Sequence, residues 1–229
     1  MHTGMKWWDA RRIEWYRRAA GRSHYHRALA EALKKLLHKD ERILELGCGL
    51  GYATELLAED GFMTTGTDAD GEAIAEARRR SGMDIFRTLD ALSSPLPESD
   101  VLLLLLFGRI AEERNLESYL GSTGRMVYAV SEHRGQRDDL RKKGGEPEKT
   151  EAYLRSIDGI TFSAIPFCAS FDQPLRSMDE AEEYIEAMYG REKTPLYMEY
   201  IREDHDGEYP YIFPNMKHLT IFGIEKEEA

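Results

Sequence analysis

The chain has 229 residues, of which 41% are hydrophobic and 32% charged, so it is long enough to bury the core of a single domain. Its formal net charge of −11 argues against a nucleic-acid partner, because a phosphate backbone is bound by a basic surface. Its sequence contains no bilayer-length apolar segment and no charged-then-apolar leader, so we expect a cytoplasmic protein without membrane contact. Cys48 and Cys168 have neither zinc-site nor disulfide-framework spacing.

The first forty residues are predicted to form a helical cap. Leu29, Leu33 and Leu37 recur at helical spacing within a predicted helix from Ser23 to Leu37. Upstream of it lie all the tryptophans of the chain: Trp7, Trp8 and Trp15. Aromatic side chains bury much area, so this segment either covers a ligand pocket or anchors the N-terminus on the core or on a second subunit. Its arginines are predicted to be solvated helix surface: Arg11, Arg12, Arg17 and Arg18.

An apolar strand, Ile43 to Leu46, runs into a glycine-rich turn, and the helical pattern of Tyr52 to Glu59 follows. The glycines of the turn are Gly47, Gly49 and Gly51. They let the backbone turn sharply and approach a ligand closely, while the first N–H groups of the helix point towards that ligand. The dinucleotide fingerprint needs a further glycine, at Tyr52 or at Thr54 depending on the register, and neither position has one.

The pattern Glu45-x-Gly47-x-Gly49-x-Gly51 resembles motif I of the class I S-adenosylmethionine (SAM) dependent methyltransferases. The resemblance covers residues 40–132. It implies a doubly wound α/β fold with a mostly parallel seven-stranded sheet, and it implies SAM as the cofactor, with S-adenosylhomocysteine (SAH) as its product. It places these residues at the cofactor: Glu45, Gly47, Cys48, Gly49 and Gly51 in the turn, and Tyr16 and Tyr25 of the cap at the carboxylate of SAM.

The second predicted strand, Phe62 to Asp68, ends on an acid. A nucleoside ribose needs such an acceptor for its two hydroxyls. The resemblance therefore assigns Asp68 to the ribose, with Ala69 beside it. The alternative is that Asp68 or Asp70 only caps the next predicted helix, Glu72 to Arg80, and Asp70 is the better placed for that.

The third predicted strand, Asp84 to Leu89, is followed by Asp90 and Ala91, which the resemblance places at the adenine. A turn ahead of the next two serines explains an aspartate here equally well. The apolar run from Asp100 to Phe107 is typical of a central parallel strand covered on both faces. Leu106, near its end, is the last residue assigned to the cofactor site.

A predicted helix around Ile110 to Leu120 leads to a fifth strand, Gly124 to Ser131. His133 follows this strand at the carboxyl edge of the sheet, where doubly wound folds place ligands, and it is our predicted general base. A histidine that is merely at the surface is the alternative, and His26 is a second candidate for the base. The polar residues 132–148 are predicted to form a loop that breaks at Gly144, Gly145 and Pro147.

The last two predicted strands are Ile160 to Phe171 and His218 to Ile224. Pro166 indicates an edge position for the first of them. The family usually joins these strands in a hairpin, so residues 172–215 are predicted to be a lid insertion. Ser177 and Glu180 form a capping-box pattern at the start of a helix inside it. The apolar stripe of that helix is Ala181, Tyr184, Ile185 and Met188.

We therefore expect one domain over residues 1–229, with a cap at 1–40, a SAM-binding core at 41–132 and the lid at 172–215. The predicted reaction is methyl transfer to a small-molecule acceptor, and the tyrosines of the insertion favour an apolar or aromatic one. No metal is predicted, because consecutive Asp204, His205 and Asp206 do not converge easily on one ion. A homodimer stays open. The alternatives are a non-catalytic scaffold of this fold and a nicotinamide-dependent oxidoreductase.

Overall fold

The computed structural model describes residues 7–113, 115–132, 145–205 and 207–227. Contacts divide the chain into two compact units. The first comprises Met1–Asp9, His26–Cys168 and His218–Ala229, and the second comprises Ala10–Tyr25 and Ala169–Lys217. Within the described ranges no helix has the length and apolar character to cross a membrane.

Strands and helices alternate through most of the chain. The strands are β1 (Arg42–Leu46), β2 (Met63–Asp68), β3 (Phe86–Thr88), β4 (Val101–Leu105), β5 (Arg125–Ser131), β6 (Ile160–Ser170), β7 (Gln173–Leu175), β8 (Arg202–Glu203), β9 (Tyr211–Phe213) and β10 (Met216–Lys226). The helices are α1 (Ala10–Arg22), α2 (Tyr25–Leu33), α3 (Tyr52–Glu59), α4 (Gly71–Ser81), α5 (Ile110–Glu113), α6 (Leu116–Thr123), α7 (Glu146–Leu154), α8 (Met178–Tyr189) and α9 (Thr194–Met198).

Seven strands form one sheet in the order β3-β2-β1-β4-β5-β10-β6. The first five are parallel, and β10 runs antiparallel to β5. The order reverses between β1 and β4, and a doubly wound sheet binds its ligand at such a switch point. The predicted mostly parallel, doubly wound fold is confirmed. Pro166 lies on β6 at the edge of the sheet, as its lost N–H requires.

The central strand explains why the sheet is covered on both faces. Val101, Leu102, Leu103 and Leu104 of β4 are all fully buried, so side chains on both faces contact core. One cluster joins β1, β4, β5 and β10 to the helices that follow β4 and β5. The buried sheet therefore holds the carboxyl ends of its parallel strands in fixed positions along one edge.

Several predicted boundaries need correction. The helix predicted from Ser23 to Leu37 is the shorter α2, and the helix predicted around Ile110 to Leu120 is divided into α5 and α6. Pro147 does not mark a loop, since it lies in the first turn of α7, where its missing N–H costs no helical hydrogen bond. Residues 133–144 of the predicted loop lie outside the described residues.

The second unit has its own core. β7, β9 and β8 form a three-stranded antiparallel sheet, and α8 begins with the predicted cap, in which the Glu180 N–H donates to Ser177 Oγ at 3.1 Å. The predicted stripe of α8 is confirmed, since Ala181, Tyr184 and Ile185 are buried and Met188 packs against them. Tyr184 and Tyr197 are buried in this core, and Tyr189, Tyr200 and Tyr211 pack against it.

Arg18 contradicts the prediction of a solvated surface. It is buried, and its Nη1 donates to the two carboxylate oxygens of Glu180 at 2.9 and 3.0 Å and to the Pro174 carbonyl at 3.2 Å. The Trp15 indole N–H also donates to Glu180. The sequence shows the helical position of Arg18 but not its partner, because Glu180 lies 162 residues away.

The two glycines at 51 and 82 provide a matched stability test. Both have a left-handed backbone, with φ of +73° and +69°, but a Cβ at Gly51 would clash with the buried Phe86 ring whereas one at Gly82 meets nothing within 4 Å. We expect Gly82→Ala to lower the free energy of unfolding by about 1 kcal/mol. Gly51→Ala should lower it by about 3 kcal/mol, because overpacking adds to the same backbone strain. Urea unfolding measures both, and equal losses would contradict the packing role of Gly51.

Candidate active site

The glycine turn after β1 is tied to the end of β2. The Cys48 N–H donates to the Thr67 carbonyl at 2.8 Å, and the Gly49 N–H donates to Asp68 Oδ2 at 2.8 Å. Gly47 and Gly49 have φ of +69° and +53°, a region that only glycine adopts at little cost. The turn is therefore held as a loop at the ligand edge of the sheet.

The three glycines of the turn face different neighbours. A Cβ at Gly47 would clash with the Phe107 ring, and a Cβ at Gly51 would clash with Phe86, so internal packing requires both. At Gly49 the nearest atom is Cζ2 of Trp8, 3.0 Å from the position a Cβ would take. The absence of a side chain at Gly49 thus lets the Trp8 ring pack directly on the turn.

Asp68 is placed as an acceptor at the end of β2. Its Oδ2 accepts from Gly49, and its Oδ1 accepts from the Asp70 N–H at 2.8 Å. Asp70 itself caps α4 by accepting from the Glu72 N–H, so Asp68 is not the cap. A carboxylate offers about four lone-pair positions, so Asp68 retains capacity for two hydroxyls. Ala69 is exposed beside it.

Glu45 and Cys48 lie beneath the turn. Burial, opposed by a hydrogen bond from Thr54 Oγ1 and reinforced by the charge of Asp68, raises the pKa of Glu45 to about 7. Burial is also the main cause that raises the pKa of the Cys48 thiol, which packs beside Ile74 and Phe86. Cys48 is therefore a small packing residue in its thiol form, as expected for an inert buried cysteine.

Asp90 has the geometry of a turn residue. It accepts from the Leu92 N–H at 3.0 Å and from Ser93 Oγ at 2.7 Å, and the Ser93 bond is the main cause that lowers its pKa. Ala91 is half-buried against the core. The local contacts match the turn interpretation, and the adenine contacts of both residues stay a prediction.

Leu106 lies at the end of β4 with an unusual backbone. Its φ is +59°, and among the described residues it is the one non-glycine with a positive φ. Its N–H donates to the Ala129 carbonyl, while its side chain is exposed. Such strain costs about 1–3 kcal/mol and persists where the surroundings impose it, commonly at ligand sites. Its predicted cofactor contact is not tested by these contacts.

The end of β5 lies beside two side chains that the sequence did not assign to the site, His218 and Cys168. The Glu132 N–H donates to the His218 carbonyl at 2.9 Å, so these residues face each other across β5 and β10. Thr220 Oγ1 donates to Glu132 Oε1 at 3.1 Å, and His218 Nε2 lies 3.9 Å from Cys168 Sγ of β6. We name Glu132, His218 and Cys168 the edge row. Strands are about 4.8 Å apart, so β5 lies about 10 Å from β1 along the same edge.

The other predicted residues have mixed outcomes. His133 lies outside the described residues. His26 stacks on the Tyr52 ring with centroids 4.6 Å apart, and burial together with Arg80 lowers its pKa to about 3, so it is a poor base at neutral pH. Tyr16 and Tyr25 both pack on Phe171 in the second unit, and their contact with SAM stays a prediction. In the described part of the chain no group of three potential metal ligands converges.

The strand order, the glycine turn after β1 and the acid at the end of β2 define the class I SAM-dependent methyltransferase fold. A family model described as "Methyltransferase domain" matches residues 21–222. The chain belongs to this methyltransferase family, and it is an enzyme of the SAM-dependent class. A search of curated proteins finds no match.

Solved structures agree with this fold. The chain is similar to the magnesium protoporphyrin IX methyltransferase of Synechocystis PCC 6803, which has bound SAH, with a TM-score of 0.56, 12% identity and 95% of each chain covered. It is also similar to the YcgJ protein of Bacillus subtilis, with a TM-score of 0.53, 14% identity, and 89% of this chain and 100% of that chain covered. At such identities the likeness shows the fold alone.

The raised pKa of Glu45 makes stability depend on pH. In the folded protein Glu45 holds its proton up to about pH 7, whereas an unfolded glutamate loses it near 4.5. Its contribution is complete below pH 4.5 and is lost as the pH rises to 7, a change of about 3 kcal/mol. Between pH 4.5 and 7 the free energy of unfolding of Glu45→Gln should therefore rise by about 3 kcal/mol relative to that of wild type, as measured by urea unfolding. If the unfolding free energies of wild type and Glu45→Gln change with pH in parallel, the pKa of Glu45 is not raised in the folded protein.

Proposed function

We propose that the chain binds SAM on the glycine turn and transfers its methyl group to a small-molecule acceptor. The observation that carries the proposal is the carboxylate of Asp68, which fixes the Gly49 N–H and stands at the end of β2, beside the switch point of the sheet. The donor set fits a nucleoside cofactor, because Asp68 retains acceptor capacity for ribose hydroxyls and the glycines of the turn place no side chain at the ligand edge.

Each residue of the site has a limited task in this reaction. Bound SAM supplies an electrophilic methyl group on a sulfonium, so the protein need not create the electrophile. Asp68 would hold the ribose, the turn would bound the methionine part, and Glu45 would keep the turn and α3 joined through Thr54. The protein then orients donor and acceptor and excludes water, which is where most of its rate effect would arise.

The methyl acceptor is proposed to bind next to the edge row of Glu132, His218 and Cys168. This row stands at the carboxyl edge of the same unit, where the backbones of Glu132 and His218 are paired and the His218 imidazole lies beside Cys168 Sγ. Histidine is the most common general base, and His218 would take the proton that a hydroxyl, amine or thiol acceptor loses on methylation. A small molecule, rather than a nucleic acid, agrees with the net charge of −11.

Cofactor binding is tested by calorimetric titration with SAM and with SAH. We expect saturable binding that Asp68→Ala and Gly49→Arg abolish, because the first removes the ribose acceptor and the second forces a side chain between the turn and Trp8. Gly82→Arg is the matched control, since Gly82 has a similar φ of +69° in open space. No binding of either compound by folded wild type would reject the proposal, and binding of a nicotinamide dinucleotide instead would favour an oxidoreductase.

The role of the edge row is tested by methyl transfer from labelled SAM to a panel of phenols, amines and thiols. His218→Asn should lower the rate of transfer about a hundredfold without changing SAH affinity, because it removes the base and not the cofactor contacts. Glu132→Gln should lower it less. His24→Asn, at an exposed histidine, is the control. An unchanged rate in His218→Asn would show that transfer does not use this base.

A further inference from the structure

The segment before α1 lies directly on the glycine turn. Residues 7–9 belong to the same unit as the turn, and the Trp8 N–H donates to Asp70 Oδ2 at 3.2 Å. The indole is then in contact with Gly49, with its Cζ2, Cε2 and Nε1 atoms 3.0, 3.5 and 3.6 Å from the position of a Cβ. One edge of the indole therefore packs on Gly49, which is buried.

The partners of Trp8 are Gly49 of the predicted cofactor site and Asp70, the cap of α4 two residues after Asp68. Gly49 donates to Asp68, and Asp70 both receives the Trp8 N–H and caps α4. The backbone of Trp8 is thus held by Asp70, whose own N–H donates to the carboxylate of Asp68 that holds the turn. By contrast, Trp7 is 43% exposed, so the two adjacent tryptophans have different environments.

We propose that Trp8 is a cofactor-contacting residue whose indole forms the outer wall of the SAM site above Gly49. The inference rests on the proposed function. A tryptophan face attracts cations more strongly than any other side-chain ring, and SAM has both a sulfonium and an ammonium group. The same face also stacks on a flat heterocycle such as adenine.

A purely structural role makes a different prediction. If Trp8 only fixes the N-terminal segment by packing on Gly49, its replacement changes stability and leaves cofactor affinity as it was. The two roles are therefore separated by affinity and by the environment of the indole during titration.

The experiment combines tryptophan emission with calorimetry on the full chain, using SAM and SAH as ligands. The emission of wild type and of Trp7→Phe should change on titration, and that change should be lost in Trp8→Phe. Trp8→Ala should bind both ligands about tenfold more weakly, while Trp7→Ala binds them as wild type does. Thermal unfolding of each variant shows that it is folded.

The outcomes distinguish a failure of the Trp8 contact from a failure of the proposed function on which it rests. If SAM binds without changing the emission, or if Trp8→Ala binds it as tightly as wild type does, Trp8 does not contact the cofactor. Either result leaves SAM binding itself established. If folded wild type shows no calorimetric binding of SAM or SAH, the proposed function is wrong, and so is the proposed cofactor contact of Trp8. The proposed contact is supported if the Trp8 variants lose the emission change and the cofactor affinity while the Trp7 variants keep both.

Discussion

The carboxylate of Asp68 is the interaction on which the ligand edge of the sheet depends. Its two oxygens accept from Gly49 in the turn after β1 and from Asp70 at the start of α4, so it joins two strand-to-helix connections. Asp70 in turn caps α4 and holds Trp8. The acid that would bind ribose therefore also fixes the loop that would hold the rest of the cofactor.

Glu45 shows how a second acid is accommodated close by. Burial and the charge of Asp68 both favour its protonated form, and the Thr54 hydroxyl keeps it hydrogen-bonded to α3. The protonated form of Glu45 that burial favours carries no negative charge next to Asp68.

The sequence predicted what local geometry determines. The glycine turn and the bounds of α3 follow from neighbouring residues, and so does the Asp70 cap that leaves Asp68 available. Features that depend on distant pairing were missed. His218 faces Glu132 only because β10 inserts beside β5, and Arg18 is buried only because Glu180 compensates its charge. Likewise, the sheet of β7, β8 and β9 was not predicted, because its strands are two or three residues long.

The account is tested most directly by a crystal structure of the protein with SAH. It predicts that the ribose hydroxyls lie about 2.6–3.0 Å from the carboxylate oxygens of Asp68, with the methionine part of SAH against the turn at Gly49. SAH bound with its ribose away from Asp68 would contradict the account, because the carboxylate would then serve only to hold the turn.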